Sequence, residues 1–335
     1  MSLLLQYTLV FSSVLLLVAL GGCFSEHSGV INIGLEGIMV IGALGGALVM
    51  NYLPPLMTAL PVWMSSLFLI VAVILGAVLL GMIYSMLLGV AAVRFKADQT
   101  LVGTAMNLLA TASATVIVKA LNSAANPDNP SSEFSYFQPR KAFLLAEGTE
   151  FNWFMIIAVV VLIVSWVVLY KTRFGLRLRA CGEHPQAADS VGINVYKMRY
   201  LGVLISGALG GLGGIVYITA GVSIWKFENG VAGFGFLALA VMIFGAWKPS
   251  RIALAAILFG FFRALSNVYT GLFPSLAEAT QSIEWMKNTF DFLGNVPGTV
   301  YNMLPYIISL IVLVFTSKNS AAPKAEGIPY DKGLR

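Results

Sequence analysis

Nine apolar stretches run through this chain, most of them close to the roughly 20 residues that an α-helix needs to cross a bilayer core. They lie near Leu4–Cys23, Gly34–Met50, Trp63–Val93, Thr100–Lys119, Trp153–Tyr170, Tyr200–Ala220, Phe234–Trp247, Ile252–Thr270 and Val300–Phe315. In lipid every backbone polar group must be satisfied within the protein, so such stretches fold as helices. The expected fold is all-α: a polytopic membrane protein of about nine (eight to ten) transmembrane helices. Trp63–Val93 is too long for one upright span and is expected to tilt or to extend beyond the bilayer. Only 10% of residues are charged against 58% hydrophobic, far from the balance of a soluble domain. The start has no basic segment and no clear cleavage site, so it reads as a retained span rather than a signal peptide.

Basic residues orient the chain. The longest polar run of the second half, Lys171–Arg199, carries six Lys/Arg. With the C-terminus inside, inner segments hold fourteen Lys/Arg and outer ones five. Positive charge is retained on the cytoplasmic side, so the expected topology has the N-terminus outside and the C-terminus in the cytoplasm. The net charge of +5 is thereby explained by inner loops, and nucleic acid is not an expected partner. Residues 1–316 then form one transmembrane domain, with loops 121–151 and 271–298 outside and 317–335 as a cytoplasmic tail. Cys23 and Cys181 do not read as a disulfide pair, since the second lies in the inner loop, where thiols stay reduced.

Gly42-Ala43-Leu44-Gly45-Gly46 recurs as Gly207-Ala208-Leu209-Gly210-Gly211. In the expected topology each copy opens a group of four spans, giving two weakly similar four-helix units plus an extra N-terminal helix. Transporters built from repeats place their site where the repeats meet.

Chemistry-bearing residues are sparse. No G-x-x-x-x-G-K-[ST] occurs, so the chain has no phosphate loop for ATP. Two histidines, without H-E-x-x-H, exclude a zinc protease of that type, and no metal set or catalytic constellation is apparent. Glu36 is the one clear acidic residue inside a span; ion-coupled pumps usually need more. The segment Ser25–Gly37, containing Asn32 and Glu36, reads either as a cytoplasmic loop or as a re-entrant turn before a helix. Thr100, Thr104, Asn107 and Thr111 share one helix face and read as a water-lined path or as interhelical packing. Arg263, Asn267 and Thr270 make a second stripe, and Arg263 must face protein, water or the outer surface. In the inner loop, His184–Gly192 reads as a helix of about two turns, opened by Pro185 and stopped by Gly192. Ala187 and Ala188 keep its side low, either for a partner's groove or for the membrane interface.

Two stretches, FSEHSGVINIGLEGIMVIGA (Phe24–Ala43) and RACGEHPQAADSVGINVYKMRYLGVLISGALGGLGG (Arg179–Gly214), closely resemble permease subunits of bacterial ABC importers. The family handles branched-chain amino acids, simple sugars and nucleosides, and NIGLEG is most similar to the nucleoside and simple-sugar branch. The likeness runs from about Leu16 to Phe315. It implies that Arg179–Arg199 contains the coupling helix, with Glu183, Pro185, Ala187, Ala188, Asp189 and Gly192 at the ATPase contact. It implies an ABC ATPase subunit that binds the ATP, a second permease (identical or paralogous), an extracytoplasmic substrate-binding lipoprotein and the bacterial inner membrane. No cofactor is expected on this chain. The path residues are then Asn32, Glu36, Thr100, Thr104, Asn107, Thr111, Arg263 and Asn267, serving a nucleoside or simple sugar. The competing expectation is a stand-alone secondary transporter or channel.

Overall fold

The computed structural model describes residues 2–57, 61–133, 143–145, 151–221, 225–280, 283–316 and 322–332. Its elements in chain order are α1 (Ser2–His27), α2 (Leu35–Tyr52), α3 (Val62–Gly89), α4 (Gln99–Ala125), α5 (Trp153–Lys171), α6 (Arg173–Glu183), α7 (Pro185–Ser190), α8 (Val195–Val216), α9 (Phe234–Phe244), α10 (Pro249–Ala279), α11 (Glu284–Asn295) and α12 (Gly298–Thr316). Among the described residues the fold is all-helical apart from an isolated bridge between Leu144 and Asn152. α3 and α8 each finish in a π-helical turn, Val90–Arg94 and Tyr217–Gly221. The apolar run at Trp63–Val93 is thus one continuous helix of about 48 Å at 1.5 Å per residue.

Seven described helices, α1–α5, α8 and α10, are long and apolar enough to cross a bilayer, rather than the nine expected. The apolar run at Phe234–Trp247 corresponds to α9, whose 11 residues cover only about 16 Å, half a bilayer core. Its composition is that of a span, but Gly233 and the Gly245–Trp247 turn end it early. Val300–Phe315 lies in α12, several of whose side chains fall outside the described residues.

α1 is not peripheral to two four-helix units. It packs against α5, α8, α9 and α10, and its middle, Val10 to Leu20, is buried. The two small-residue repeats meet each other: a Cβ on Gly42 would lie 2.1 Å from the Gly211 Cα, so α2 and α8 cross at backbone contact. Only glycine permits that approach, which is how membrane helices gain close packing without a hydrophobic driving force. The match between the motifs therefore has a packing reason.

Residues 28–34 leave helical geometry yet stay inside the protein. Ser25 Oγ donates to Val30 O at 2.7 Å, Ile31 N–H to Gln99 Oε1 at 2.7 Å, and Asn32 Nδ2 to Ser206 Oγ at 2.8 Å. Irregular backbone at such a position is tolerated where protein satisfies it. One face of the molecule gathers Lys96, α6–α7 and the tail 322–332. The opposite face gathers Ser132, Lys119 and Glu228.

Candidate functional site

The site is built around the start of α9. A helix beginning inside a membrane protein has N–H groups with no partner of their own, and each must be satisfied. Here Gly233 N–H donates to Glu36 Oε1 at 2.8 Å and Gly235 N–H to Glu36 Oε2 at 2.7 Å. The carboxyl group also sits against the positive end of the α9 dipole. The approach demands a small residue: a Cβ on Gly235 would lie 2.4 Å from the Glu36 backbone nitrogen. Gly233 holds φ +78°, which glycine adopts without strain.

Three of the candidate path residues converge here. A Cβ on Gly230 would sit 3.5 Å from Thr111 Oγ1 and 3.8 Å from Glu36 Oε1. Arg263 lies over the Phe234 ring at 5.3 Å and donates through Nη1 to Asn302 Oδ1 at 2.6 Å. The Tyr306 hydroxyl faces the Gly233 turn, and Tyr217 packs its ring on Phe234 at 4.5 Å. Trp225 stands edge-on to Tyr217, its indole nitrogen buried without a hydrogen-bond partner. Sequence reading missed Asn302 and Tyr306. Their i, i+4 spacing on α12 puts two polar side chains on one face of an apolar helix, and that was the available signal.

The other candidates lie apart. Asn107 is buried and committed to the start of α2: its Oδ1 accepts from Gly37 N–H at 2.8 Å and its Nδ2 donates to Ile33 O at 3.0 Å. Thr100 and Thr104 are exposed on the same helix, and Thr104 Oγ1 donates to Thr100 O. The stripe therefore splits, because the 28–37 segment covers only part of that face. Asn32 is fully buried against Ser206, and Asn267 is exposed about one turn beyond Arg263. A second buried acidic residue, Glu26 on α1, accepts the indole proton of Trp247 at 2.5 Å.

On the face carrying Lys96, α7 spans Pro185–Ser190 with Pro185 at its first position, and Gly192 stops it at φ +84°. α6, which sequence reading left as loop, is opened by Thr172, whose Oγ1 accepts from Gly175 N–H. Pro185 and Ala188 are buried in this chain, whereas Glu183, Gln186, Ala187 and Ser190 point outward with Val191, itself 75% exposed. The two alanines thus do not share one outer face: Ala188 packs inward, and Ala187 is the outward one. Asp189 is partly covered and pairs with Lys332 at 3.8 Å.

No solved structure matches the chain. A guanosine ABC transporter permease protein, NupQ of Bacillus subtilis, is 38% identical over 100% of this chain and 98% of its own length. A nucleoside ABC transporter permease protein, NupC of Lactococcus lactis, is 37% identical over 97% of this chain and 95% of its own. A further guanosine permease protein of the same Bacillus, NupP, is 24% identical over 73% of this chain and 68% of its own. The family model described as branched-chain amino acid transport system / permease component matches residues 4–315. The chain therefore belongs to this family of ABC transporter permease components.

Proposed function

We propose that the chain is one permease half of an ATP-driven importer for nucleosides. The observation that carries this reading is near full-length similarity to two permease proteins named for guanosine or nucleoside transport. The path runs past the α9 start, where Thr111, Arg263, Asn302 and Tyr306 offer hydroxyl, amide and guanidinium groups for a hydroxylated, base-bearing solute, and the exposed Thr104 and Asn267 line it further along. Glu36 and Asn107 shape that path by fixing the helix starts. Asn32 and Thr100 border it on the inner side.

ATP is bound by a partner ATPase that docks on the outward face of α7, with Glu183, Ala187 and Val191 at the contact and Pro185, Ala188, Asp189 and Gly192 holding the helix. Loop 171–199 and the C-terminus are cytoplasmic, 121–151 and 271–298 face outward, and the N-terminus is outside. The second permease is a paralogue, which the two Bacillus guanosine permease proteins support. An extracytoplasmic binding lipoprotein delivers the substrate. A self-sufficient ion-coupled carrier is disfavoured because Glu26 and Glu36 are both spent on structural hydrogen bonds.

Uptake of labelled guanosine into proteoliposomes holding the complete complex tests this. Uptake should require ATP and the ATPase subunit and should be competed by unlabelled nucleosides, not by glucose. Uptake by this permease alone, driven by a proton or sodium gradient, would overturn it.

A further inference from the structure

The tail, residues 322–332, is folded back over the face that carries α7, and its contacts reach α6, α7, α8, Lys96 and the break before α2. Ala325 N–H donates to Gly182 O at 2.8 Å, at the end of α6. Gly327 N–H donates to Gly29 O at 3.3 Å, in the break before α2. Gly327 holds φ +74°, and a Cβ there would lie 2.7 Å from Ile31 Cδ1, so the tail presses directly on that break. Tyr330 is 4% exposed and packs its ring on Tyr196 at 5.2 Å, in the first turn of α8. Beside it, Asp331 pairs with Lys96 at 2.5 Å and Lys332 with Asp189 on α7 at 3.8 Å.

Residues 322–332 are tied down, with a buried tyrosine and backbone N–H groups satisfied at two separate places. A cavity of about 270 Å3, lined by Asp189, Gly192–Tyr196 and Lys332, lies between the tail and the α7–α8 turn. From Gly29 the backbone runs straight through Asn32, held by Ser206, to Glu36, which holds the start of α9.

We propose that residues 322–332 are a strap that joins α7 to the break before α2, so that displacement of α7 by the ATPase is delivered to the Glu36–α9 contact in the path. This rests on the reading of α7 as the docking helix. α7 packs on α6 and α8, and the strap adds a second route, from Asp189 on α7 through Lys332 and Gly327 to Gly29. Energetic coupling of this kind travels through contiguous contacts and is established by perturbing them.

The test uses the reconstituted complex and reads three quantities: ATPase co-purified with the permease, ATP hydrolysed, and guanosine moved per ATP. A chain ending after Ala321 should retain the ATPase and hydrolyse ATP while guanosine moved per ATP falls about five- to tenfold, an ordinary coupling between sites. Lys96→Asp and Asp331→Lys should each lower that ratio, and the two together should restore it. An unchanged ratio in the shortened chain overturns the strap. So does a double charge reversal that fails to restore transport, or a shortened chain that does not accumulate while both single reversals transport normally. The docking reading fails separately: Ala187→Glu would then leave the ATPase bound and active with normal transport.

Discussion

Two helices of this bundle begin inside the protein after a stretch of irregular chain, and they solve the same problem differently. α2 starts after residues 28–34, and a neutral amide, Asn107, both accepts from Gly37 N–H and donates to Ile33 O. α9 starts after residues 225–233, and a carboxyl group, Glu36, accepts two N–H groups at once. The amide matches a donor and an acceptor in one place. The carboxyl group meets two donors and a helix dipole, all of one sign. Each residue type follows from the groups it has to satisfy. Both look like path residues in the sequence, yet both spend their hydrogen bonds on the scaffold.

The largest expected effect comes from removing the charged anchor. Glu36→Ala leaves two buried N–H groups bare, each costing about 1–3 kcal/mol, so the detergent-solubilised complex should melt well below wild type. Wild-type melting would mean that α9 does not depend on Glu36. Next comes Asn107→Leu, which strands one donor and one acceptor. Each stranded group again costs about 1–3 kcal/mol, but the neutral amide has neither charge-assisted bonds nor the helix-dipole contact of Glu36, so the shift in melting should be smaller than for Glu36→Ala. If Asn107→Leu lowers uptake with no change in melting, the amide belongs to the path and the parallel between the two starts is lost. Thr104 anchors neither helix, so Thr104→Val should change stability by less than about 0.5 kcal/mol. Guanosine uptake should nevertheless fall, and normal uptake would remove Thr104 from the path.

The smallest effect concerns a carboxyl group that caps nothing. Glu326, in the tail, has Oε2 buried without a hydrogen-bond partner, and burial pushes its pKa up to about 7 from an ordinary 4.5. Glu26 faces it from α1, and Trp247 donates to Glu26 in turn. The docked tail therefore favours the protonated acid. Its docking is strongest below pH 4.5 and weakens as pH rises through about 7. Hydrogen exchange over residues 322–332, corrected for intrinsic rates, should be faster at pH 8 than at pH 5.5, and Glu326→Gln should remove the difference. Equal protection at both pH values would place Glu326 outside the control of docking.

Much of this was legible in the residues. Apolar runs revealed the helices, and Pro185 with Gly192 marked α7 nearly to the residue. Hydropathy could not distinguish α9 from a full span, because half of a helix inside protein is as apolar as a whole one in lipid. The Thr100–Thr111 stripe was correct as periodicity, but periodicity does not say how far the 28–37 segment covers a face. The tail was unreadable: Ala325, Gly327 and Tyr330 dock through backbone bonds and one ring, which leave no pattern in a short polar stretch. Glu36 drew attention for its charge, while its partners are glycine N–H groups that carry no side-chain signal.

The central claim is that the Glu36 carboxyl group holds α9 in place and is not itself a transport group. Glu36→Gln tests it most directly, since it keeps the shape and one acceptor but turns an amide N–H toward a backbone N–H. Thermal unfolding and guanosine uptake per folded complex, measured on the same preparation, separate the two roles. The expected result is a melting loss equivalent to about 1–3 kcal/mol with uptake per folded complex largely retained. Unchanged melting with uptake abolished would contradict the claim and make Glu36 part of the transport chemistry.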